Sequence, residues 1–329
     1  MMKKLLTALA CLAMVLSLGA CSNGGGEQQE EGPKTYKVGV AIYKYDDNFM
    51  TLYREELVDY FKTLETADVK YEVTVMDGKG DQGEQTNQLN NFISGGYDVI
   101  IANLVQPTAA SVISTAAKDA GIPIVYINRE PEAADLEAYP GKSTYVGADA
   151  RQSGTYQGEI IAALPDHGDI NGDGKVSYVM LVGDPDNVDA KYRTEFSIKA
   201  MVDAGYTMEK LVEQRGDWDT AKGQQITADA LSQYGMGVEV IFANNDGMAL
   251  GAVQALKDAG RTVGTDVYLV GVDALPEVVE LVNNGGMTGT VLNDHVGQSH
   301  AAVDAAIAAI NGEELEQYYW VDYVKVVKE

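Results

Sequence analysis

Cysteine is nearly missing from this 329-residue chain: there are two, Cys11 and Cys21, both within the first 21 residues. Everything downstream folds without disulfides and without thiolate metal sites. Histidine is almost as scarce, and none of His167, His295 and His300 belongs to an H-E-x-x-H pair. With no G-x-S-x-G elbow and no cysteine nucleophile either, the common hydrolase constellations drop out. No G-x-x-x-x-G-K-[ST] occurs, and no glycine-rich dinucleotide fingerprint is expected after a strand, so a phosphate cradle is not anticipated. Positive charge is in deficit, with 24 Lys and Arg against 49 Asp and Glu, a formal net charge of −25. That field repels phosphate backbones and anionic headgroups, which argues against nucleic acid and membrane surfaces as partners and favours a neutral or cationic ligand.

Long hydrophobic runs are missing too. Leu5 to Leu18 is 14 residues, against roughly 20 for a helix that crosses a bilayer. It follows the basic Met1-Met2-Lys3-Lys4 and ends in Leu18-Gly19-Ala20-Cys21, the layout of a secretory signal. Leu-Gly-Ala-Cys is similar to the bacterial lipobox, which implies a lipoprotein signal peptide over residues 1–20 and a lipid on Cys21. Ser22 to Lys34 is rich in Gly, Gln and Glu and cannot build a core, so residues 21–35 read as a flexible tether. The expectation is an extracytoplasmic protein anchored to the cell membrane by its lipid alone.

What is present is ordinary globular composition, 46% hydrophobic and 22% charged, at a length that suits two domains or one large α/β domain. Short β-branched runs such as Val99–Ala102, Ile124–Ile127 and Val238–Ala243 alternate with longer segments of helical spacing such as Thr51–Thr63, Arg193–Asp203 and Gly297–Asn311. This is the pattern of βαβ units and parallel sheets. Asp98-Val-Ile-Ile-Ala-Asn103 leading to Lys118-Asp-Ala-Gly121 is echoed by Glu239-Val-Ile-Phe-Ala-Asn244 leading to Lys257-Asp-Ala-Gly260, which predicts two related lobes.

Asp and Asn recur where those strands should end: Asp46-Asp47-Asn48, Asn103, Asn128, Asp184 to Asp189, Asn244-Asn245-Asp246, Asp273 and Asn293. Open parallel sheets bind ligands beyond the carboxyl ends of their strands. Carboxylates, amides and Arg193 facing one another across a cleft could satisfy a ligand made of hydroxyls, since each OH both donates and accepts. A sugar fits that inventory. Phe49 and Trp218, beside polar neighbours, are either core residues or flat partners for the C–H faces of a pyranose.

A separate segment, Asp169-Ile-Asn171-Gly-Asp173-Gly174-Lys175-Val-Ser177, matches D-x-[DN]-x-[DN]-G, with oxygens at loop positions 1, 3 and 5 and glycine at 6. It predicts a structural calcium loop, with Lys175 acting through its carbonyl and Ser177 at position 9. Position 12 is Met180 rather than Glu, so a distant carboxylate has to complete the sphere.

Tyr43-Lys-Tyr-Asp-Asp-Asn-Phe-Met50, Ile101-Ala-Asn-Leu-Val105, Trp218-Asp-Thr-Ala221, Ala243-Asn-Asn-Asp246, Val272-Asp-Ala-Leu-Pro-Glu277 and Thr290-Val-Leu-Asn-Asp294 closely resemble the periplasmic galactose/glucose-binding proteins of bacterial ABC sugar importers. The resemblance runs over nearly all of the mature chain. It implies a class I periplasmic-binding fold: two Rossmann-like lobes with parallel sheets joined by a hinge, no catalysis, and an ABC permease or a chemoreceptor as partner. The expected division is 36–126 plus 293–318 for one lobe and 127–292 plus 319–329 for the other, which carries the calcium loop. The resemblance implies that Phe49 and Trp218 sandwich the pyranose of galactose or glucose, while Asp47, Asn103, Asp189, Arg193, Asn245, Asp273 and Asn293 bond its hydroxyls. It also assigns Glu239 as the remote calcium carboxylate beside Asp169, Asn171, Asp173, Lys175 and Ser177. Two positions depart from the family pattern: Asn187 replaces a histidine in the sugar site, and Ser177 replaces a longer amide. The family usually carries a closing segment beyond the equivalent of Glu329, so a shortened third hinge crossing is expected.

Overall fold

The computed structural model describes residues 32–328; the signal segment, the acylation candidate Cys21 and most of the expected tether lie outside the described residues. The first α/β run is β1 (Lys34–Ile42), α1 (Asn48–Thr63), β2 (Val69–Asp77), α2 (Gln82–Ser94), β3 (Val99–Ala102), α3 (Ala110–Ala120), β4 (Ile124–Ile127), α4 (Ala133–Glu137) and β5 (Ser143–Gly147). The second is α5 (Ala150–Ala162), β6 (Val176–Val182), α6 (Val188–Asp203), β7 (Met208–Arg215), α7 (Thr220–Tyr234), β8 (Val240–Ala243), α8 (Asp246–Asp258), β9 (Tyr268–Val270), α9 (Pro276–Asn284) and β10 (Gly289–Leu292). The chain then returns through α10 (His295–Ile310) and β11 (Tyr318–Trp320) and ends on β12 (Val324–Val327).

Two six-stranded sheets result, ordered β11-β5-β4-β3-β1-β2 and β12-β10-β9-β8-β6-β7. Every pairing is parallel except β10 with β12. The central strands VIIA, IVYI and VIFA are buried along their whole length, as strands covered by helices on both faces must be. In each sheet the chain order reverses direction beside the first strand of the run, β1 in one and β6 in the other, and a ligand crevice forms beyond the strand ends at such a switch point. The repeated segments seen in the sequence occupy equivalent places, β3 and β8.

The lobe boundaries differ from the expected ones. Ser143–Gly147 pairs with β4 in the first sheet, and Tyr318–Trp320 pairs with β5. The first and third crossings therefore follow residues 147 and 320 rather than 126 and 318. The third crossing is made across Val321–Tyr323 into β12, which pairs with β10. The expected tether also overlaps structure, since β1 begins at Lys34. One glycine run corrects the expectation of no dinucleotide spacing: Gly78-Lys79-Gly80-Asp81-Gln82-Gly83 follows β2 and opens α2. Its amides are already used, Gly78 and Gly80 donating to the Ile42 and Tyr43 carbonyls. The Asp81 carboxylate caps the helix through Glu84 N–H, so the place of a pyrophosphate is taken by the protein's own anion.

Candidate functional site

The segments after β1, β4, β6, β8, β10 and the seventh and ninth strands converge on a narrow cleft with a cavity of about 30 Å³, room for little more than water and well short of an open ligand pocket. Its lining is Tyr43, Asp47, Phe49, Asn128, Arg129, Asn187, Asp189, Arg193, Trp218, Asn245, Asp273 and Asn293. Nine of the ten residues singled out from the sequence are among these; Asn103 is not.

Several lining residues double as helix caps, which explains their placement. Asp47 Oδ1 accepts from Met50 N–H at 2.7 Å, Asn187 Oδ1 from Asp189 N–H at 3.1 Å, and Asn245 Oδ1 from Met248 N–H at 3.0 Å. Each fills one of the orphan donors at a helix start, so α1, α6 and α8 all begin at the cavity wall. The second oxygen of Asp47 accepts from the Tyr43 hydroxyl at 2.6 Å.

Asn103 is fully buried below the wall. Its Oδ1 accepts from Tyr43 N–H, and its Nδ2 donates to Ile127 O and Asn128 Oδ1. Asn244 does the same work in the second lobe, accepting from Gly183 N–H. The pair clasps the ends of neighbouring strands, and in this structure the Asn103 amide bonds protein groups at the ends of β1 and β4.

Arg193 is buried from the second lobe. Its Nη1 donates to Asn244 O at 2.8 Å, and its Nη2 donates to the Tyr323 hydroxyl at 3.0 Å and faces Asp189 Oδ2 at 3.4 Å. The Nε atoms of Arg193 and Arg129 are buried without a partner among the described residues. Burial pushes the Asp189 carboxyl up to about 6 and raises Asp273 well above the usual carboxylate range. Asp273 joins a relay between the lobes: Gln298 Nε2 donates to Asn293 Oδ1 at 2.6 Å, and Asn293 Nδ2 donates to Asp273 Oδ1 at 3.3 Å.

Three lining residues, Asn128, Trp218 and Asp273, have φ of 61°, 64° and 130°. Non-glycine residues in this region carry local strain that the surroundings must over-determine, and such residues gather at functional sites. The Trp218 indole lies against Gly183, where an added Cβ would come within 2.1 Å of the ring; only glycine leaves room for it. Phe49 packs edge-on to Tyr53 and His295 at 6.0 and 6.5 Å. The sequence reading missed Tyr43 and Arg129 as lining residues and noted Asn128 only as a strand-end amide. All three sit at ends of β1 and β4, the position that marked the others.

The calcium-type loop lies away from the cavity, before β6. Asp169 Oδ1 accepts from the Gly172 and Asp173 amides and Oδ2 from Gly174, while Asn171 Oδ1 accepts from Asp173 N–H. Buried Glu239 spans the loop, Oε1 accepting from Asn171 N–H and Oε2 from Ser177 N–H, both at 2.9 Å. Among the described residues no group of three or more His, Cys, Asp or Glu side chains forms a metal cluster. The donors gathered here, two aspartates, an amide, a hydroxyl, a backbone carbonyl and Glu239, are all oxygens and suit a hard cation in kind.

No helix among the described residues is long and apolar enough to cross a membrane. A family model described as periplasmic binding protein domain matches residues 38–314. The D-galactose/methyl-galactoside binding periplasmic protein of Haemophilus influenzae is 38% identical over 300 residues, 90% of this chain and 86% of that protein. The ribose import binding protein of Escherichia coli is 26% identical over 264 residues, 79% of this chain and 81% of that one. An ABC transporter solute binding protein from Bacillus halodurans, solved with bound myo-inositol, matches with a TM-score of 0.77 at 29% identity, over 91% of this chain and 96% of that one. By its sequence, its two α/β lobes and the cavity between them, the chain belongs to the periplasmic binding protein domain family, as a binding protein and not an enzyme.

Proposed function

We propose that the chain is the extracytoplasmic substrate-binding protein of an ABC importer, tethered by a lipid on Cys21, and that it captures galactose or glucose. The observation that carries this reading is the lining: aromatic rings from opposite lobes, Phe49 and Trp218, with carboxylates, amides and guanidinium groups between them. Rings serve the apolar faces of a pyranose, and the polar groups serve its hydroxyls. The open form admits one monosaccharide, the lobes rotate about the three crossings, and a permease reads the closed form. No covalent step is involved. The galactose and methyl-galactoside in the name of the Haemophilus relative support a hexose, and the myo-inositol of the Bacillus structure makes a cyclitol the comparison ligand. Presentation of the closed form to a chemoreceptor would use the same cavity.

Titration calorimetry with D-galactose, D-glucose and myo-inositol tests the assignment. A hexose should bind near the micromolar range, about −8 kcal/mol, and Trp218→Ala or Asp273→Ala should weaken it at least about 30-fold, the scale of a binding hot spot. Unchanged hexose affinity in both variants would refute the site. We further propose that the 169–177 loop with Glu239 holds a structural calcium ion, Asp169, Asn171, Asp173, the Lys175 carbonyl, Ser177 and Glu239 being its ligands.

A further inference from the structure

One ion pair joins the two lobes at the cleft. Arg129, which follows β4, reaches Asp184, which follows β6, with Nη1 to Oδ2 at 3.2 Å. The side chains are 2% and 19% exposed, so the pair is largely removed from water. On its own lobe the guanidinium is held twice: Nη1 also donates to Val105 O at 2.6 Å, and the group lies 3.9 Å over the Tyr43 ring. Tyr43 in turn donates to Asp47. On the other lobe Asp184 also meets Arg215 at 3.7 Å, and Arg215 and Lys222 together clamp Asp217, the neighbour of Trp218. A continuous series of interactions thus runs from Asp47 to the residue beside Trp218, and Arg129 to Asp184 is its link across the gap.

We infer that Arg129 is a positioning residue that latches the lobes shut through Asp184 and so sets how long the closed form holds its ligand. The inference rests on the lobe-closure reading above. Val105 and Tyr43 keep Arg129 in place on its own lobe, so parting the lobes breaks its ion pair with Asp184 and leaves the other two interactions whole. Because the fork is held beforehand by a carbonyl and a ring, little side-chain freedom is given up on closure. The link exists only in the closed form, so breaking it favours the open form with or without ligand and shows chiefly as faster release.

The test uses Arg129→Gln, Asp184→Asn and the double variant of the whole chain, with D-galactose, D-glucose and myo-inositol as probes in stopped-flow fluorescence, and small-angle scattering of the ligand-free proteins. Each single variant should release ligand roughly tenfold faster or more, with association unchanged or faster, since the open form is the one that admits ligand. The double variant should release no faster than the worse single, because the two residues share one ion pair. Scattering should show a larger radius of gyration for each ligand-free variant than for the parent. Unchanged release in Asp184→Asn, additive effects in the double, or a defect confined to Arg129→Gln, which would mark a direct ligand contact, overturns the latch. If the parent binds none of the three probes, the hexose assignment fails by itself, while an unchanged radius of gyration in Asp184→Asn still overturns the latch.

Discussion

Three carboxyl groups in or under the cavity carry their protons at unusually high pH, and burial is the main cause in each. Asp189 is pushed up to about 6 and Asp246 up to about 7, while Asp273 is raised well above its usual 3.8. Asp246 sits below Asp273, accepting from the Thr290 hydroxyl at 2.7 Å and from Leu275 N–H at 3.0 Å. The sign of the consequence is fixed by linkage. Between the ordinary value near 4 and the raised values near 6 and 7, the folded chain binds more protons than the unfolded one, so these groups add stability as pH falls through that window and remove it as pH rises. The ligand-free protein is expected to melt at a higher temperature at pH 5.5 than at pH 8, and Asp246→Asn should flatten that difference. The variant can keep both bonds, since the Thr290 hydroxyl can accept from the new amide and the amide oxygen can take Leu275 N–H. Calorimetric scans that rise with pH in the parent would contradict it. Hexose affinity should move the opposite way, weakening below about pH 6 as Asp189 loses its capacity as a charged acceptor.

At the level of elements, strands buried on both faces were legible because VIIA, IVYI and VIFA announce themselves as continuous apolar runs. Four strands were not: the short Tyr318–Trp320 and the largely exposed Val324–Val327 at the end of the chain, and two more within it. Met208–Arg215 is an edge strand with all four of its charged residues exposed, and Ser143–Gly147 is five residues with two hydroxyls at its start; neither has an apolar signal to read. Helix starts at α1, α6 and α8 lie two to five residues before the periodic pattern suggests, because the capping Asp or Asn and the polar first turn look like loop. Those same caps form the cavity wall, so the polar strand ends were legible as a group. Which of them line the cavity was not: Asn103 and Asn293 look alike in sequence, yet Asn103 is tied to Tyr43, Ile127 and Asn128 below the wall while Asn293 lines the cavity. The calcium-type loop belongs to this scale. Glu239 already ties both ends of the loop to the start of β8 through two amides, and a cation would add to that tie by binding the folded form alone. Calcium at one hundred times its Kd should stabilise the parent by about 2.7 kcal/mol, seen as a chelator-sensitive melting temperature. Glu239→Gln should remove the chelator sensitivity. A parent whose melting is indifferent to both calcium and chelator would dismiss the ion.

At the scale of the whole molecule, the crossings are more than connectors. The third crosses at Tyr323, which is 3% exposed. Its amide donates to Gln152 Oε1 at 2.7 Å, and its hydroxyl accepts from Arg193 Nη2 at 3.0 Å. The Asn293 crossing holds Asp273 in the same way. Two of the three covalent links between the lobes therefore touch cavity side chains, so lobe rotation and side-chain placement are one motion and not two. Tyr323→Phe separates them, because it keeps the ring and the backbone bond but takes the acceptor from Arg193. A bond to a charged group is worth about 1.5–3 kcal/mol, so hexose affinity should fall roughly tenfold or more, and the melting temperature by only a few degrees in a chain of this size. Should calorimetry return the parent's affinity while the melting temperature drops, Tyr323 supports the fold alone. Weakened affinity with intact melting would place the hinge within the binding site, so that lobe rotation itself repositions the guanidinium of Arg193.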